Sequence, residues 1–218
     1  MLIIGCKVQY FTTFFFWVIK VYDIMCVVIF MEIILRSASP RRKELLEKAK
    51  YKFKIDVADI DETIDAALTP YDNVKRLGLL KASVNQEDFY GNILIGCDTI
   101  VVFDEVIYGK PIDEQDAYNT LRKLSGNKHQ VMSGVGIVYK EKVYNFAVVS
   151  DVYFKDLTDE DIWNYINTGE CFGKAGSYAI QGIGNILVDH YEGSLENIIG
   201  LPIEEVKNVL GEIYGMED

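Results

Sequence analysis

The chain has 218 residues, half of them apolar and a quarter charged, with a formal net charge of −11; this excludes a disordered chain and leaves room for one or two domains with a sizeable core. Cys6, Cys26, Cys97 and Cys171 are too few and too far apart for a disulfide scaffold or a paired-cysteine metal site, and read as free thiols in a reducing compartment. The acidic balance argues against sequence-independent nucleic-acid binding, which needs a positive surface, so any anion must be met by cations gathered locally.

Residues 1–30, MLIIGCKVQYFTTFFFWVIKVYDIMCVVIF, carry only Lys7, Lys20 and Asp23 as charges. A signal peptide needs small residues before a cleavage point, and none stand there. A membrane span needs about 20 apolar residues, whereas Lys20 and Asp23 interrupt the run that begins at Val8. Three explanations stay open: a mis-called start with Met31 as the true one, a membrane or interfacial anchor, or an extra packed element. The first is the expectation, which makes residues 1–30 a hydrophobic extension and residues 31–218 one domain.

From Glu32 onward short apolar runs alternate with amphipathic helical patterns, the mark of a mixed α/β fold. Ile33 to Leu35 is a short strand. Ser39-Pro40 opens a helix to about Ala49, with serine as N-cap and proline in the first turn. A strand over Phe53 to Val57 follows, and Thr69-Pro70 starts a second helix by the same device, running to about Val84. Ile93 to Phe103 is the strongest buried-strand candidate. Asp113 caps a helix ending near Ser125-Gly126, two long strands span about Val131–Tyr139 and Val143–Phe154, and Thr158 opens a helix to about Asn167. A glycine-rich stretch from Gly169 to Gly184 leads to a strand near Ile186–Val188, and Pro202 begins the terminal helix. No internal repeat or linker divides the chain.

Several residues sit against their own propensities. Arg41, Arg42 and Lys43 place three cations in the opening turn of a helix, where the dipole is already positive and backbone N–H groups lack partners. A bound phosphate reverses the sign of these terms together; the alternative is a solvated basic helix start. Asp98-Thr99 interrupts the otherwise apolar run ILIGCDTIVVF. A carboxylate there either satisfies loop backbone at a strand end or lies at the bottom of a cleft, holding a divalent metal or activating water. Lys81 falls on the inward stripe with Val74, Leu77 and Gly78, either snorkelling to the rim or facing an internal cleft. Lys110 is fixed between Gly109 and Pro111. Glu62 is a further metal carboxylate or a surface acid. Gln181, in the glycine-containing AIQGIGN, can present its amide to a base edge. His129 and His190 are isolated and read as satisfied or exposed. No GxSxG, GxxxxGK[ST] or GxGxxG occurs, so acyl-transfer, P-loop and Rossmann chemistry are set aside. The inventory suits metal-assisted attack of water on a polyphosphate.

IILRSASPRRKELLE, IDET, the KA of LLKAS, GCDTIVV, GKPIDEQDA, LRKLSGNKHQVMSGV, KAGSYAIQG and NIIGLP, in this order, resemble the Maf family of nucleoside triphosphate pyrophosphatases from about Met31 to the last helix. The resemblance implies a mixed sheet flanked by helices, similar to the inosine triphosphatases, with a cleft between two lobes. It implies hydrolysis of a nucleoside triphosphate to the monophosphate and pyrophosphate with a divalent cation, magnesium or manganese. On it, Asp98 is the general base, Asp98 and Glu62 hold the metal, and Ser37, Arg42, Lys81 and Lys110 surround the phosphates. Arg41, Thr99 and Gln181 match the branch acting on dTTP and UTP, where the 7-methyl-GTP branch carries Trp, Gln and Glu. A cytoplasmic homodimer is expected, without nucleic acid and without membrane unless residues 1–30 anchor it. Two alternatives remain: a nucleotide-binding regulator of division with little turnover, and hydrolysis aimed at modified nucleotides. The departures from the family are Arg36 and Gly78 for alanine, Ser133 for threonine, Cys171 for proline, and Leu195-Glu196 for a more aromatic pair. Arg36 is expected to add a bulky cation beside the phosphate loop.

Overall fold

A computed structural model describes residues 31–216; the expectations for residues 1–30, including Cys6 and Cys26, lie outside them. The elements are β1 (Ile33–Leu35), α1 (Pro40–Lys48), β2 (Phe53–Ile55), α2 (Pro70–Ser83), β3 (Ile93–Phe103), β4 (Val106–Tyr108), α3 (Glu114–Leu124), β5 (Lys128–Tyr139), β6 (Lys142–Phe154), α4 (Asp159–Ile166), β7 (Val188–Glu192), α5 (Leu195–Ile199) and α6 (Ile203–Tyr214). Seven strands form one mixed sheet in the order β2-β1-β3-β5-β6-β7, with β4 on β3. The first three strands of that order pair in parallel; from β3 onward the β3–β5, β5–β6 and β6–β7 pairings are antiparallel, as is that of β4 with β3.

The eleven-residue β3 organises the sheet. One of its edges pairs with β5 from Ile93 to Val102. The other is shared: β1 takes Ile93–Ile95, and β4 takes Val101–Phe103. Between them the edge is free of strand pairing over residues 96–100, so the sheet forks beside Asp98 and Thr99. Because side chains alternate along a strand, these two neighbours point to opposite faces. Ile93, Ile95, Cys97 and Val101 enter the main core with α1 and α3–α6, while Leu94, Ile100 and Val102 join smaller clusters on the face covered by α2.

Helix α2 rests on that face almost backbone to backbone. A Cβ on Gly134 would stand 2.0 Å from the Val74 carbonyl oxygen, and one on Gly96 would stand 2.4 Å from both Gly78 O and Ala82 N. No larger residue fits such an approach. Gly78 itself faces the Gly134 carbonyl at 2.5 Å in the same sense, so its low helix propensity is offset by close contact. The helix therefore brings its inward stripe, Val74, Leu77 and Lys81, directly onto the strands, as the i, i+3, i+4, i+7 spacing predicts.

Four elements differ from expectation. The strand expected near Ile186–Val188 is a 3-10 turn over Ile183–Leu187 followed by β7, whose last four residues are exposed at the sheet edge and carry no apolar alternation. β4 and α5, three and five residues long, are too short to show a period. Strand β2 stops at Ile55, two residues short of the expected Val57. Cys97 and Cys171 are free and buried, and among the described residues no helix is long and apolar enough to cross a membrane.

His129 is buried on β5, with Nε2 2.8 Å from the Tyr178 hydroxyl and its ring edge-on to Phe154 and Tyr178. Burial pushes the imidazole down from 6.5 to about 4, partly opposed by the charge of Asp151. The unfolded chain therefore binds the extra proton between these values, and stability present above pH 6.5 is lost as pH falls through the window toward 4. The loss amounts to about 3 kcal/mol. Urea midpoints measured from pH 7 to 4 should fall on that limb, and His129→Gln should flatten it.

Candidate active site

At the fork lies a cleft of about 590 Å³. Its walls come from the β1–α1 turn, the loop after β2, α2, β3, the loop after β4, and residues 173–180. Eight of the nine residues singled out from the sequence line it: Ser37, Arg41, Arg42, Glu62, Lys81, Asp98, Thr99 and Lys110. Gln181 does not; it is exposed and follows Ile180, the last lining residue of its segment.

Helix α1 starts differently from α2–α5. Those four open on side-chain caps by Thr69, Asp113, Thr158 and Ser194. Ser39 occupies the N-cap position of α1 without a side-chain capping bond, contrary to the expected serine cap, and no acid stands in the first turn. The nearby hydroxyl of Ser37 instead accepts from the Ser39 N–H at 3.3 Å and from Arg42 Nη1 at 2.9 Å. Uncapped N–H groups, a helix dipole and two arginines thus converge on one wall. Burial of Arg41 and the charge of Arg42 lower the Arg41 pKa from its ordinary value; an anion in the cleft relieves both.

Lys81 is buried, and its ammonium bridges Asp98 Oδ1 at 2.7 Å and Glu62 Oε1 at 2.8 Å. For Glu62, burial acts to raise the pKa. The hydrogen bond and charge of Lys81, with Lys110 and Arg42 behind it, outweigh burial and hold the carboxyl below its ordinary value. Glu62 is thus a cleft acid, although half of its side chain remains exposed. The two carboxylates approach one centre from different elements, β3 and the loop after β2. Such a pair fits magnesium or manganese, which is commonly held by one or two carboxylates together with substrate phosphates. Among the described residues no cluster of three or more His, Cys, Asp or Glu suited to a metal occurs; a cation held by this pair would need its remaining oxygens from substrate and water.

Arg42 is held through all three of its guanidinium nitrogens. Nε donates to the Gly200 carbonyl at 2.9 Å, Nη1 to Ser37 Oγ, and Nη2 to Thr99 Oγ1 at 3.0 Å. Thr99 accordingly faces Arg42 rather than opening a free hydroxyl to a ligand. Lys110 is exposed on the loop after β4, where the Gly109 carbonyl accepts from the Gly176 N–H at 3.0 Å. Lys174 also lines the cleft, with Nζ 3.2 Å from the Phe172 carbonyl; its place in KAGSYAIQG was the available signal. Counting Arg36, six cations and two acids border the cleft within a chain of net charge −11.

Arg36 corrects one expectation. It borders the cleft, yet its guanidinium turns away from the phosphate loop and donates to Asp56, to the Lys81 carbonyl at 3.4 Å and to the Val84 carbonyl at 3.0 Å, over the Phe89 ring. It closes the C-terminal end of α2, where unpaired carbonyls and the negative dipole end favour a cation.

A mixed α/β sheet forked around a cationic cleft with a carboxylate pair defines an anion-binding, polyphosphate-handling class of protein. The family model described as Maf-like protein matches residues 32–213, and the chain belongs to the Maf family. A "dTTP/UTP pyrophosphatase" of Bacillus mycoides (strain KBAB4) is 47% identical over 172 residues, covering 79% of this chain and 90% of the relative. Proteins of the same description from two strains of Bacillus cereus are each 46% identical, one over 172 residues (79% and 90% coverage) and the other over 175 residues (80% and 92%).

The Lys81 bridge has a measurable consequence. In Lys81→Met the two carboxylates lose their shared counter-charge, so the Glu62 pKa should rise above its wild-type value when followed by carboxyl NMR titration. An unchanged Glu62 titration would contradict the bridge.

Proposed function

We propose that this protein is a metal-dependent nucleoside triphosphate pyrophosphatase that converts dTTP and UTP to the monophosphate and pyrophosphate. The observation that carries the proposal is the Glu62–Lys81–Asp98 bridge at the floor of a cleft ringed by Arg41, Arg42, Lys110 and Lys174. The similarity to relatives described as dTTP/UTP pyrophosphatases supports the choice of substrate.

The triphosphate lies with its β- and γ-phosphates toward the N-terminus of α1, Ser37 and Arg42, and its α-phosphate near Asp98. Asp98 accepts the proton of the attacking water at the carboxylate oxygen opposite the Lys81 bond. Water oxygen bonds to the α-phosphorus, the bond from that phosphorus to the α–β bridging oxygen breaks, and pyrophosphate departs with its charge met by Arg42, Lys81 and Lys110. Asp98 and Glu62 would hold the divalent cation, magnesium or manganese, which offsets phosphate charge when bound. Gln181 and Arg41 are assigned to base preference. The amide of Gln181 matches the alternating acceptors and donor of a pyrimidine-dione edge, provided its loop comes inward. The bonds that occupy Thr99 favour grouping it with the phosphate-binding residues, although the sequence resemblance places it among the specificity positions. Residues 31–218 are taken as the catalytic unit, working as a homodimer in the cytoplasm, where free buried thiols and nucleotide pools are both at home.

Purified protein incubated with dTTP, UTP and GTP and either magnesium or manganese should release pyrophosphate and monophosphate, most rapidly from the two pyrimidine nucleotides. Chelation should abolish turnover, and Asp98→Asn should lower kcat by about a hundredfold or more. Release of orthophosphate, or undiminished turnover in Asp98→Asn, would contradict the proposal. Tight nucleotide binding with negligible turnover would favour a regulatory protein instead.

A further inference from the structure

The segment that carries Gln181 closes on itself and is tied down at both ends. At its start the Ala179 N–H donates to the Tyr165 hydroxyl at 3.3 Å. At its far end two successive N–H groups donate to one carboxylate, Ile183 to Glu170 Oε1 at 3.1 Å and Gly184 to Glu170 Oε2 at 2.7 Å. The two ends meet, since a Cβ on Gly184 would stand 2.6 Å from the Ala179 carbonyl oxygen and 3.0 Å from the Tyr165 hydroxyl. Both anchors belong to the end of α4, Tyr165 within the helix and Glu170 just beyond it.

Glu170 is itself fixed. Gly169 turns the chain after α4 at a φ of +75°, a left-handed conformation that glycine adopts without penalty. The Glu170 N–H donates to Thr168 Oγ1 at 3.2 Å, and the Thr168 hydroxyl donates to the Tyr165 carbonyl at 2.7 Å. The carboxylate lies in the crook of Gly182, where a Cβ would collide with Oε1. Gly182 stands at the N-cap position of the 3-10 turn over Ile183–Leu187 and has no side chain to cap it, so Glu170 supplies that cap from another loop. A carboxylate accepts on both oxygens, whereas an amide would turn its NH2 toward one of the two N–H groups. Between the anchors only Ile180, Gln181 and Gly182 remain, and Ile180 is buried in the core where it borders the cleft. The exposed Gln181 is therefore the tip of a pinned loop at the cleft rim.

We propose that Glu170 is a positioning residue for base preference: it pins the far end of this loop and so holds Gln181 where its amide can meet a pyrimidine-dione edge. Glu170 does not line the cleft, and its effect on substrate passes through Gln181 alone. The proposal rests on the cleft being a triphosphate site with Gln181 as its base reader.

The test is Glu170→Gln, alone and combined with Gln181→Ala, measured by kcat/KM on dTTP, UTP and GTP, by calorimetry with inorganic pyrophosphate, and by thermal unfolding. Glu170→Gln should lower the dTTP-to-GTP ratio of kcat/KM about tenfold, with pyrophosphate affinity within about twofold of wild type. In the Gln181→Ala background it should have no further effect on the ratio, because the two residues act as one unit. An unchanged ratio in folded Glu170→Gln would overturn the proposal, as would an equal fall in both backgrounds or a loss of pyrophosphate affinity. Should Glu170→Gln fail to fold, Gly182→Ala decides by the same criteria, since its methyl displaces the carboxylate while a φ of −152° is open to alanine. If the wild-type protein hydrolyses none of the three triphosphates, the functional reading fails; affinities for dTMP and GMP then replace the ratio and still decide the role of Glu170.

Discussion

The site depends on how closely α2 approaches the sheet. With only glycine at 96 and 134 beneath it, the helix backbone touches the strand backbone, and a lysine in its last turn reaches the floor of a fork that would otherwise lie beneath a layer of side chains. A one-carbon side chain at either glycine lifts the helix and separates Lys81 from Asp98. The bridge between Lys81, Asp98 and Glu62 is thus a consequence of packing as much as of charge. Arg36 works in the same direction at the C-terminal end of the helix, since its bonds to the Lys81 and Val84 carbonyls fix the turn that carries the ammonium.

The fork also explains how an acidic chain can hold a polyanion. Strand β3 is long enough to be shared between β1 and β4, and the unshared middle opens the cleft at Asp98-Thr99. Alternation sends Asp98 toward α2 and Thr99 toward Arg42, so adjacent residues serve opposite walls. Lys81, Lys110 and Lys174 arrive on separate segments and join the arginines of the β1–α1 turn only in the folded chain. Low-dielectric walls and the uncapped end of α1 concentrate their field, while the net charge of −11 is distributed over the rest of the molecule.

Much of this was legible in the sequence because it showed as violated local rules. Asp98 inside an apolar strand, Lys81 on an inward stripe and cations at a helix start all conflict with propensity, and all three meet in the cleft. What was missed or misplaced broke no local rule. Arg36 was misjudged because its position beside the phosphate loop says nothing about where a long side chain turns. Gln181 stands outside the cleft wall although its motif was clear, since a glycine-flanked loop leaves its direction open to the chain. β7 was misplaced because an exposed edge strand has no apolar alternation to find.

The central claim is that the fork places Asp98 and its water against the α-phosphorus. Turnover of dTTP in water enriched in heavy oxygen tests this directly. The account predicts one labelled oxygen in the monophosphate and none in the pyrophosphate, as mass spectrometry would read it. Label in the pyrophosphate would mean attack at the β-phosphorus, and the assignment of Asp98 would be wrong.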